Sequence, residues 1–346
     1  MESTKNLKNV ESPDDYFEEY ESLDVHELML KDNPRVLAYK NAIFNKKDLF
    51  FNKIVMDVGA GTGILSIFCA QAGAKKVFAV EANKCSLLAD EVVKENNFID
   101  IIQVIPSKLE DVKPETIGKV DIIVSEWMGF YLVHEGMLDT VLIARDRFLN
   151  EDGQLFPNIA KMYAAPCQLP SMYDFWDNVH GVKMQCIGNK IRQQKKSKPE
   201  IMLVDDRDLL ADPKILAWID LKTAITVDLD IIGGQDLVFP CQQSGKLQGV
   251  CIWFEVEFPD GSLLSTSPSD YPTHWKQTSI PMPNSAEVVE GEPLAFRITL
   301  NRDMKDKRKY NLELIVLNPD ETEHEIPCDC YMTKCIVTKQ YMEIHN

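Results

Sequence analysis

The first half of the chain alternates short apolar runs with segments of helical periodicity. The apolar runs that have the length of strands buried on both faces lie at 54–58, 77–80, 101–105 and 120–124. Apolar residues recur at helical spacing after three of these runs, at 63–73, at about 83–96 and at 137–149. The segment 150–153 breaks the last of these helical patterns. Strands that alternate with helices in this way predict a parallel sheet covered by helices.

The second half of the chain has the pattern of antiparallel strands. From residue 155 onward, apolar and polar positions alternate in runs separated by Gly, Pro and Asp, as at 250–258. We predict an antiparallel sheet or barrel over about 157–346. Tyr173, Phe175 and Trp176 cluster in a helical excursion at 171–184, and this aromatic group is either core or a surface that meets another subunit.

The start of the chain is polar and then amphipathic. Residues 1–14 predict a disordered tip, whereas helical spacing begins near residue 15 and Pro34 suits the first turn of a helix. From helix spacing alone, His26, Asp32 and Arg35 are expected to be solvated. The predicted domains are therefore a tip at 1–14, an α/β domain at 15–156 and a β domain at 157–346 with a helical insertion near 166–190.

A glycine-rich loop follows the first strand. The order of strand, Gly59-Ala60-Gly61-Thr62-Gly63 and helix is that of a nucleotide-binding half-fold. The second strand ends in Glu81, roughly 20 residues after the first glycine, where an acidic side chain can accept both ribose hydroxyls. The spacing G-x-G-x-G lacks the third glycine of the dinucleotide pattern, so S-adenosylmethionine fits better. Its cationic methionine end can use a nearby carboxylate, and Asp57 directly precedes the loop.

Two glutamates flank the loop after the fourth apolar run. Glu126 follows the strand end, where open α/β sheets bind ligands, and Gly129 allows the chain to turn so that Glu135 faces it. Two ionised carboxylates repel each other unless a cation lies between them, and a planar, forked guanidinium suits two such acceptors best. The alternative is that Glu126 caps one helix and Glu135 begins the next, because acidic residues favour a first helical turn.

Three other features carry weaker signals. Glu110 ends near the same sheet edge and could reach an adenine amino group, although surface charge is the commoner role of such a residue. His274 lies in a Pro-rich loop, where a lone histidine is usually exposed. Cys328, Cys330 and Cys335 with His324 suggest zinc only weakly, because their alternation also fits a strand, and we expect no metal site.

The composition limits the classes of binding partner and the cellular compartment that are expected for the protein. With 54 acidic and 37 basic residues, the net charge of -17 argues against nucleic acid and would attract basic peptides, although it could equally serve solubility. Nine cysteines without framework spacing and an N-terminus without an apolar signal core predict a reducing compartment, the cytoplasm, the nucleus or both. No apolar run is long enough to predict a membrane span.

Four motifs, in this order, resemble those of the protein arginine N-methyltransferases, and closely the asymmetric-dimethylating (type I) branch. They are Asp15-Tyr16-Phe17 with Tyr20; Val58-Gly59-Ala60-Gly61-Thr62-Gly63-Ile64-Leu65; Ser125-Glu126-Trp127-Met128-Gly129 through Glu135-Gly136-Met137-Leu138; and Thr273-His274-Trp275. The resemblance covers nearly the whole chain after about residue 14. It implies a Rossmann-like S-adenosylmethionine-dependent methyltransferase domain followed by an antiparallel β-barrel domain with an inserted helical dimerisation arm.

The resemblance also implies roles for individual residues. The family's catalytic residues correspond to Glu126, Glu135, His274 and Asp32, with the last two as a proton relay. The positions that would bind S-adenosyl-L-methionine are His26, Met29, Arg35, Asp57, Gly59, Gly61, Glu81, Ala82 and Glu110. Among them Arg35 would pair with the methionine carboxylate, Glu81 with ribose and Glu110 with adenine. The substrate pocket would include Tyr20, Met128, Met137 and Trp275, and Met29 and Met137 would leave room for a second methyl on one nitrogen.

Further expectations concern partners and activity. The resemblance implies arginine-rich protein substrates, such as histone tails and RNA-binding proteins with Arg-Gly segments, and a homodimer. Phe130 and His134 stand where close relatives commonly carry tyrosine, and the arm between Tyr163 and Gly181 is shorter than usual. Two alternatives are a methyltransferase for a small molecule or another side chain, and a catalytically silent module that binds arginine-rich tails.

Overall fold

The computed structural model describes residues 22–195 and 198–345. The N-terminal motif at 15–20, with Tyr20, lies outside this range. The first described elements are three helices: α1 (Leu23–Lys31), α2 (Asn33–Asn45) and the short α3 (Lys47–Phe50). Pro34 lies in the first turn of α2, and the Asp32 side chain caps that helix by accepting the Arg35 N–H at 3.1 Å.

A five-stranded parallel sheet follows, in the order β3-β2-β1-β4-β5. Its strands are β1 (Ile54–Val58), β2 (Lys76–Glu81), β3 (Ile102–Pro106), β4 (Val120–Val124) and β5 (Leu149–Phe156). The connecting helices are α4 (Ile64–Gln71), α5 (Cys85–Glu95), α6 (Pro114–Ile117) and α7 (Met137–Phe148), with a 3-10 turn at Leu109–Asp111. The order of strands reverses between β1 and β4, so a ligand crevice is expected at the carboxyl ends of these two strands.

The polar segment 150–153 follows the end of α7 at Phe148, so it ends the helical pattern as the sequence predicted, but it was not predicted to be a strand. It lies within β5, which pairs in parallel with β4 across an irregular register between Val120 and Ile122. The polar side chains fit there because β5 is an edge strand of its sheet and residues 150–152 are exposed to solvent.

Two antiparallel sheets form the second, barrel-like half. The larger has the order β7-β12-β10-β6-β8 with β11 paired to β10, and the smaller has the order β14-β13-β9. Their strands are β6 (Ile159–Cys167), β7 (Glu200–Met202), β8 (Lys214–Asp220), β9 (Ile231–Pro240), β10 (Gly245–Glu257), β11 (Leu263–Ser265), β12 (Gln277–Val288), β13 (Pro293–Arg302) and β14 (Tyr310–Val316), with 3-10 turns at Asp206–Asp208 and Thr226–Leu229. The parallel and antiparallel sheets share one continuous apolar core.

The predicted helical insertion lies between β6 and β7. It contains α8 (Pro170–Tyr173), a 3-10 turn at Asp174–Asp177 and α9 (Gln185–Lys195). Tyr173 is buried and its hydroxyl donates to the Gln248 carbonyl at 2.9 Å, whereas Phe175 is exposed. The aromatic cluster therefore has members in the core and on the surface. The division of the chain into domains at 156/157 stays a prediction.

The C-terminal part differs from the predicted sheet. The last strand, β14, ends at Val316, and the chain continues as a loop to α10 (Thr333–His345). The alternation of Cys328 and Cys330 therefore does not belong to a strand. Within the described ranges, no helix is long and apolar enough to span a membrane.

An ion pair of a buried arginine joins the two halves of the molecule. Arg302, at the end of β13, has a side chain that is 4% exposed and pairs with Asp139 in α7, while its Nη1 lies 3.5 Å from Asp230. Arg302 Nε also donates to the Lys307 carbonyl at 2.8 Å. These contacts fix the loop between β13 and β14 against the start of α7.

We expect Arg302→Ala to lower the free energy of unfolding by about 2 kcal/mol, because the half-buried carboxylate of Asp139 would lose a charged hydrogen-bond partner. Denaturant unfolding monitored by fluorescence measures this loss. The matched control is Arg297→Ala on the same strand, where both Arg297 and its partner Asp236 are exposed, and it should leave the unfolding free energy nearly unchanged. Equal losses in the two variants would contradict the assigned role of Arg302.

Candidate active site

The glycine loop folds onto the end of β2. Gly59, Gly61 and Gly63 have φ angles of 72°, 53° and 82°, a left-handed conformation that favours glycine. The Gly59 N–H donates to the Val80 carbonyl at 2.9 Å. The Glu81 carboxylate accepts the Gly61 N–H at 2.8 Å and the Asn83 N–H at 3.0 Å. Each carboxylate oxygen keeps a further lone pair, so Glu81 can still accept hydroxyl groups of a ligand.

Helices α1 and α7 approach this loop from two sides. A side chain at Gly59 would collide with the terminal methyl of Met137, and one at Gly61 would come within 3.8 Å of the His26 ring. His26 is buried, as is Asp32, and only 11% of the Arg35 side chain is exposed. The prediction from helix spacing that these three residues are solvated is therefore wrong, because α1 and α2 pack their polar faces against the crevice.

Asp57 lies beneath the glycine loop with no exposed surface. Its Oδ2 accepts the Ser66 hydroxyl at 2.7 Å, and its Oδ1 has no hydrogen-bond partner among the described residues. Burial raises the pKa of Asp57 to about 7, and the charge of Glu81 adds to this effect, although the bond from Ser66 opposes it. A buried carboxylate with an unsatisfied oxygen would be stabilised by a nearby cation. The site therefore fits the cationic methionine end of S-adenosylmethionine.

We expect the affinity for S-adenosylmethionine to rise with pH through about 7, the pKa of Asp57, because a cation is attracted to the ionised carboxylate. Binding of a cation lowers this pKa, so binding and deprotonation are coupled. Titration calorimetry at about pH 6 and about pH 8 should show an affinity up to about tenfold higher at the higher pH. Asp57→Asn should lose this dependence and the exposed control Glu151→Gln should keep it. The same dependence in Asp57→Asn would contradict the role of Asp57.

Glu126 lies at the carboxyl end of β4 and already binds a guanidinium from its own chain. Its Oε2 accepts Arg35 Nε at 2.8 Å and lies 2.6 Å from Arg35 Nη2, while its Oε1 accepts the Met128 N–H at 3.2 Å. Burial acts to lower the pKa of Arg35, but the charge of Glu126 and its hydrogen bond to Arg35, with the charges of Tyr39 and Asp32, together raise that pKa. Arg35 also donates from Nη1 to the Met29 carbonyl at 2.9 Å. In this structure the charge partner of Arg35 is thus Glu126.

The segment between Glu126 and Glu135 is a tight loop. Gly129 and Leu132 form an isolated antiparallel bridge, and a side chain at Gly129 would collide with the His134 carbonyl. Glu135 has a φ of 76°, an uncommon value for a residue with a side chain. Its N–H donates to the Arg308 carbonyl at 2.8 Å, and Arg308 Nη1 donates to the Glu135 carbonyl at 3.1 Å. The loop between β13 and β14 therefore holds Glu135 in this strained conformation.

These positions exclude the alternative in which the two glutamates cap or begin helices. Helix α7 begins at Met137, its N-cap is Gly136, and no side chain caps it. Glu126 follows a strand, and the elements next to it are β4 and the tight loop. Glu126 therefore lies at the carboxyl end of β4, and Glu135 lies at the other end of the tight loop that follows.

His134 faces Tyr131 across the same loop. The Tyr131 hydroxyl lies 2.8 Å from His134 Nδ1. Burial lowers the pKa of His134 to about 4, and the charge of Lys309 acts in the same direction. His134 is therefore neutral at physiological pH. Tyr131 therefore supplies one hydroxyl to the loop that holds Phe130 and His134.

The loop with Thr273, His274 and Trp275 reaches across from the antiparallel half. His274 Nδ1 lies 2.6 Å from Asp32 Oδ2, which also accepts the His274 N–H at 2.8 Å. Burial acts to raise the pKa of Asp32, but the hydrogen bonds from His274 and from the Arg35 N–H leave this pKa below its usual value. Asp32 is therefore ionised at neutral pH. The prediction that His274 is an exposed loop histidine is wrong, since 13% of its side chain is exposed.

Trp275 connects this loop to the loop of Glu126. Its Nε1–H donates to the Met128 carbonyl at 2.9 Å, and its ring packs edge-on against Phe254 at 5.3 Å. On the other side, the Tyr39 hydroxyl donates to the Ser125 carbonyl at 2.9 Å. Tyr39, Ser66 and Arg308 are residues that sequence reasoning missed. Only Tyr39 had a signal, because it lies four residues after Arg35 on one helical face.

The remaining predicted positions lie at the margin of the site. Glu110 is exposed in the 3-10 turn before α6 and accepts the Thr140 hydroxyl at 2.8 Å, and Ala82 is exposed directly after β2. Met29 is half-buried and contributes its carbonyl to Arg35. The structure brings the predicted pair of Asp32 and His274 together directly. It also pairs Glu126 with Arg35, which was not predicted, while Tyr20 lies outside the described residues.

Comparison with known proteins identifies the family of the chain. The family described as "Arginine methyltransferase oligomerization subdomain" matches residues 158–316, and that described as "Ribosomal protein L11 methyltransferase (PrmA)" matches residues 44–134. The chain is similar to Protein arginine N-methyltransferase 1 of Caenorhabditis elegans, with 37% identity over 316 residues that cover 89% of each chain.

Solved structures give the same result. The chain resembles the Trypanosoma brucei PRMT1 enzyme-prozyme heterotetrameric complex with AdoHcy, with a TM-score of 0.77, 32% identity, and coverage of 88% of this chain and 97% of the other. It also resembles Arabidopsis thaliana protein arginine methyltransferase 10, with a TM-score of 0.75, 32% identity, and coverage of 86% and 94%. This chain therefore belongs to the protein arginine N-methyltransferase family and uses S-adenosylmethionine to methylate arginine side chains of proteins.

Proposed function

We propose that this enzyme transfers two methyl groups in succession to the same guanidino nitrogen, so that its final product is asymmetric dimethylarginine. Binding of the guanidinium is supported by the two glutamates, Glu126 and Glu135, at the two ends of one tight loop, whereas the choice of the asymmetric product rests on Met29 and Met137, as the family resemblance implies. Glu126 already accepts two guanidinium nitrogens of Arg35 on one oxygen. Its other oxygen and Glu135 would bind the guanidinium of the substrate.

The two glutamates would activate a poor nucleophile. A guanidinium keeps its charge at physiological pH, and the lone pairs of its nitrogens are delocalised. Glu126 and Glu135 would attract the positive charge toward the nitrogen that they bind, which leaves more lone-pair character on the other one. Holding that nitrogen in line with the methyl donor would supply several of the ~7–11 kcal/mol that orientation can contribute.

The pair of His274 and Asp32 would accept the proton that the nitrogen loses as the new bond forms. Asp32 is ionised and fixed by two hydrogen bonds from His274, so it would stabilise the protonated imidazole. Because the proton leaves only as the bond forms, a strong base is not needed at the start of the reaction. We assign to Asp32 and His274 the role of a proton relay.

The crevice would hold the methyl donor between α1 and the glycine loop. S-adenosylmethionine, when bound, supplies an electrophilic methyl group on a sulfonium. Glu81 would bind its ribose and Asp57 its cationic methionine end. His26, Met29, Gly59, Gly61, Ala82 and Glu110 would line the same pocket, and Arg35 would contribute to the methionine carboxylate from its place beside Glu126. Met29 and Met137 would leave room for the second methyl.

We further propose arginine-rich protein segments as substrates, in the cytoplasm, the nucleus or both, and a homodimer as the assembly. The net charge of -17 supports attraction of basic tails. On the helical insertion, Phe175 and Val182 are more than half exposed, and burial of these side chains in a dimer would be favourable. Met128 and Trp275 would line the substrate pocket beside Glu126.

The experiment that tests the product is mass spectrometry of an arginine-glycine-rich peptide after incubation with the enzyme and methyl-labelled S-adenosylmethionine. Fragmentation distinguishes the two dimethylarginine isomers, and we expect label in monomethylarginine first and then in the asymmetric isomer. Symmetric dimethylarginine, or monomethylarginine alone after exhaustive incubation, would contradict the assignment of a second methyl to the same nitrogen. Binding of donor and peptide without any transfer would indicate a silent binding module.

A further inference from the structure

Four potential metal ligands meet in the C-terminal segment, far along the chain from the active-site motifs. They are His324, Cys328, Cys330 and Cys335, whose ligand atoms all lie within 4.8 Å of one another. The sulfur atoms of Cys328, Cys330 and Cys335 lie 3.4, 3.5 and 3.2 Å from His324 Nδ1. Zinc bound at 2.3 Å from sulfur and about 2.0 Å from nitrogen in a tetrahedron requires separations of roughly this size.

The histidine is held with its free nitrogen toward the sulfur atoms. Its Nε2 lies 2.9 Å from the Pro319 carbonyl, which can only accept a hydrogen bond, so the proton is on Nε2. Nδ1 then presents its lone pair to the three cysteines. A backbone carbonyl that fixes the tautomer and the orientation of the ring is the usual outer partner of a metal-binding histidine.

The pattern of burial also points to a ligand-centred core. Over residues 317–345, the buried side chains are Thr322 and three members of the cluster, His324, Cys330 and Cys335. The large apolar side chains of this segment, such as Ile326, Val337 and Tyr341, are exposed. A segment of this length without an apolar core usually requires a disulfide or a metal to stay folded, and all three cysteines are free thiols.

We propose that His324, Cys328, Cys330 and Cys335 bind one Zn²⁺ ion as a structural tetrahedral site. Three sulfurs and one imidazole nitrogen favour zinc over hard cations such as Mg²⁺ or Ca²⁺. Four protein ligands leave no open position for a substrate, so the metal has no part in methyl transfer. The three thiols bind as thiolates, so each ion that binds releases three protons.

The zinc site would join the start of α10 to the loop that precedes it. The Tyr331 N–H donates to the Gly291 carbonyl at 2.8 Å, so the segment already contacts the loop before β13. The matched family domain ends at residue 316, before the first ligand. The site is therefore additional to the methyltransferase fold, and the inference does not depend on the proposed product. The sequence argued against a metal here because a strand was possible, and the structure has a loop and a helix instead.

The test is the zinc content of the untagged full chain, purified without chelator and measured by inductively coupled plasma mass spectrometry. We expect about one zinc per chain. Cys330→Ser and Cys335→Ser should each lose most of it, whereas Cys186→Ser, at an exposed cysteine in α9, should retain it. A wild-type chain without zinc after incubation with Zn²⁺, or equal zinc content in Cys335→Ser and wild type, would overturn the proposal.

A second measurement identifies the ligands even where a variant folds poorly. Replacement of zinc by Co²⁺ in the wild-type chain should give the intense visible bands of a tetrahedral site and the near-ultraviolet charge-transfer bands of thiolate ligands. These bands should be absent from Cys335→Ser, while titration with S-adenosylmethionine verifies that the methyltransferase fold is intact. A disulfide among Cys328, Cys330 and Cys335, found by alkylation without reduction of the freshly purified chain, would contradict the site.

Discussion

Replacing Glu126 by glutamine is expected to lower the rate of methyl transfer to an arginine peptide by about 100-fold or more. The change keeps the size of the side chain but removes the charge that would hold the substrate guanidinium. A buried charge pair that loses one partner costs about 3–5 kcal/mol, and each 1.36 kcal/mol on the barrier is tenfold in rate. Transfer of labelled methyl to the peptide, measured at saturating S-adenosylmethionine, gives the rate.

Two further variants sharpen this prediction. Glu135→Gln should give a loss of similar size, because the guanidinium needs both carboxylates, whereas Glu151→Gln, an exposed glutamate in β5, should transfer methyl at the wild-type rate. Glu126→Gln should still bind S-adenosylmethionine in a calorimetric titration, because Arg35 keeps its hydrogen bond to the Met29 carbonyl and its charge for the methionine carboxylate. Methylation by Glu126→Gln or Glu135→Gln near the wild-type rate would rule out the mechanism.

Replacing His274 by glutamine is expected to lower the rate by about 100-fold, which is in the range of a lost proton acceptor. Asp32→Asn should have a comparable effect. The asparagine keeps an oxygen that can accept the Arg35 N–H at the start of α2, so the helix cap is preserved. A lower rate in this variant would therefore not result from unfolding. The control is His345→Gln, at an exposed histidine in α10.

The double variant of His274 and Asp32 tests whether they act as one unit. If Asp32 works only through His274, the double variant should be no slower than His274→Gln alone. The reason is that His274→Gln already removes the interaction through which Asp32 acts. If the fold losses in rate of the two single variants multiply in the double variant, the residues have two independent roles, which would contradict the relay. A wild-type rate in His274→Gln would exclude the histidine as the proton acceptor.

The parts of the molecule that the sequence predicts well are those specified by neighbouring residues. Strands β1 to β4 are predominantly apolar runs, and the glycine loop with Glu81 follows from its spacing. Strand β5 was missed because its polar residues lie at a sheet edge, where solvent satisfies them. The C-terminal helix α10 was mistaken for a continuation of the sheet because Cys328 and Cys330 alternate with polar residues as they would in a strand.

The site itself depends on contacts between residues far apart in the chain. His274 meets Asp32 across 242 positions, and Arg308 meets Glu135 across 173. Local patterns carry no information about such pairs, so helix spacing alone placed Asp32 and Arg35 in solvent. The family resemblance correctly brought Asp32 and His274 together. It did not indicate that Arg35 pairs with Glu126 or that Arg308 holds Glu135.

The most direct test of the account is a crystal structure of the enzyme with S-adenosylhomocysteine and an arginine-containing peptide. The decisive quantities are the distances from the guanidino nitrogens of the peptide to the carboxylate oxygens of Glu126 and Glu135. The account predicts that both glutamates bind the same guanidinium at about 2.7–2.9 Å. A peptide arginine that contacts neither glutamate, or only one of them, in a complex with the donor site filled would contradict the proposal that two carboxylates activate the substrate.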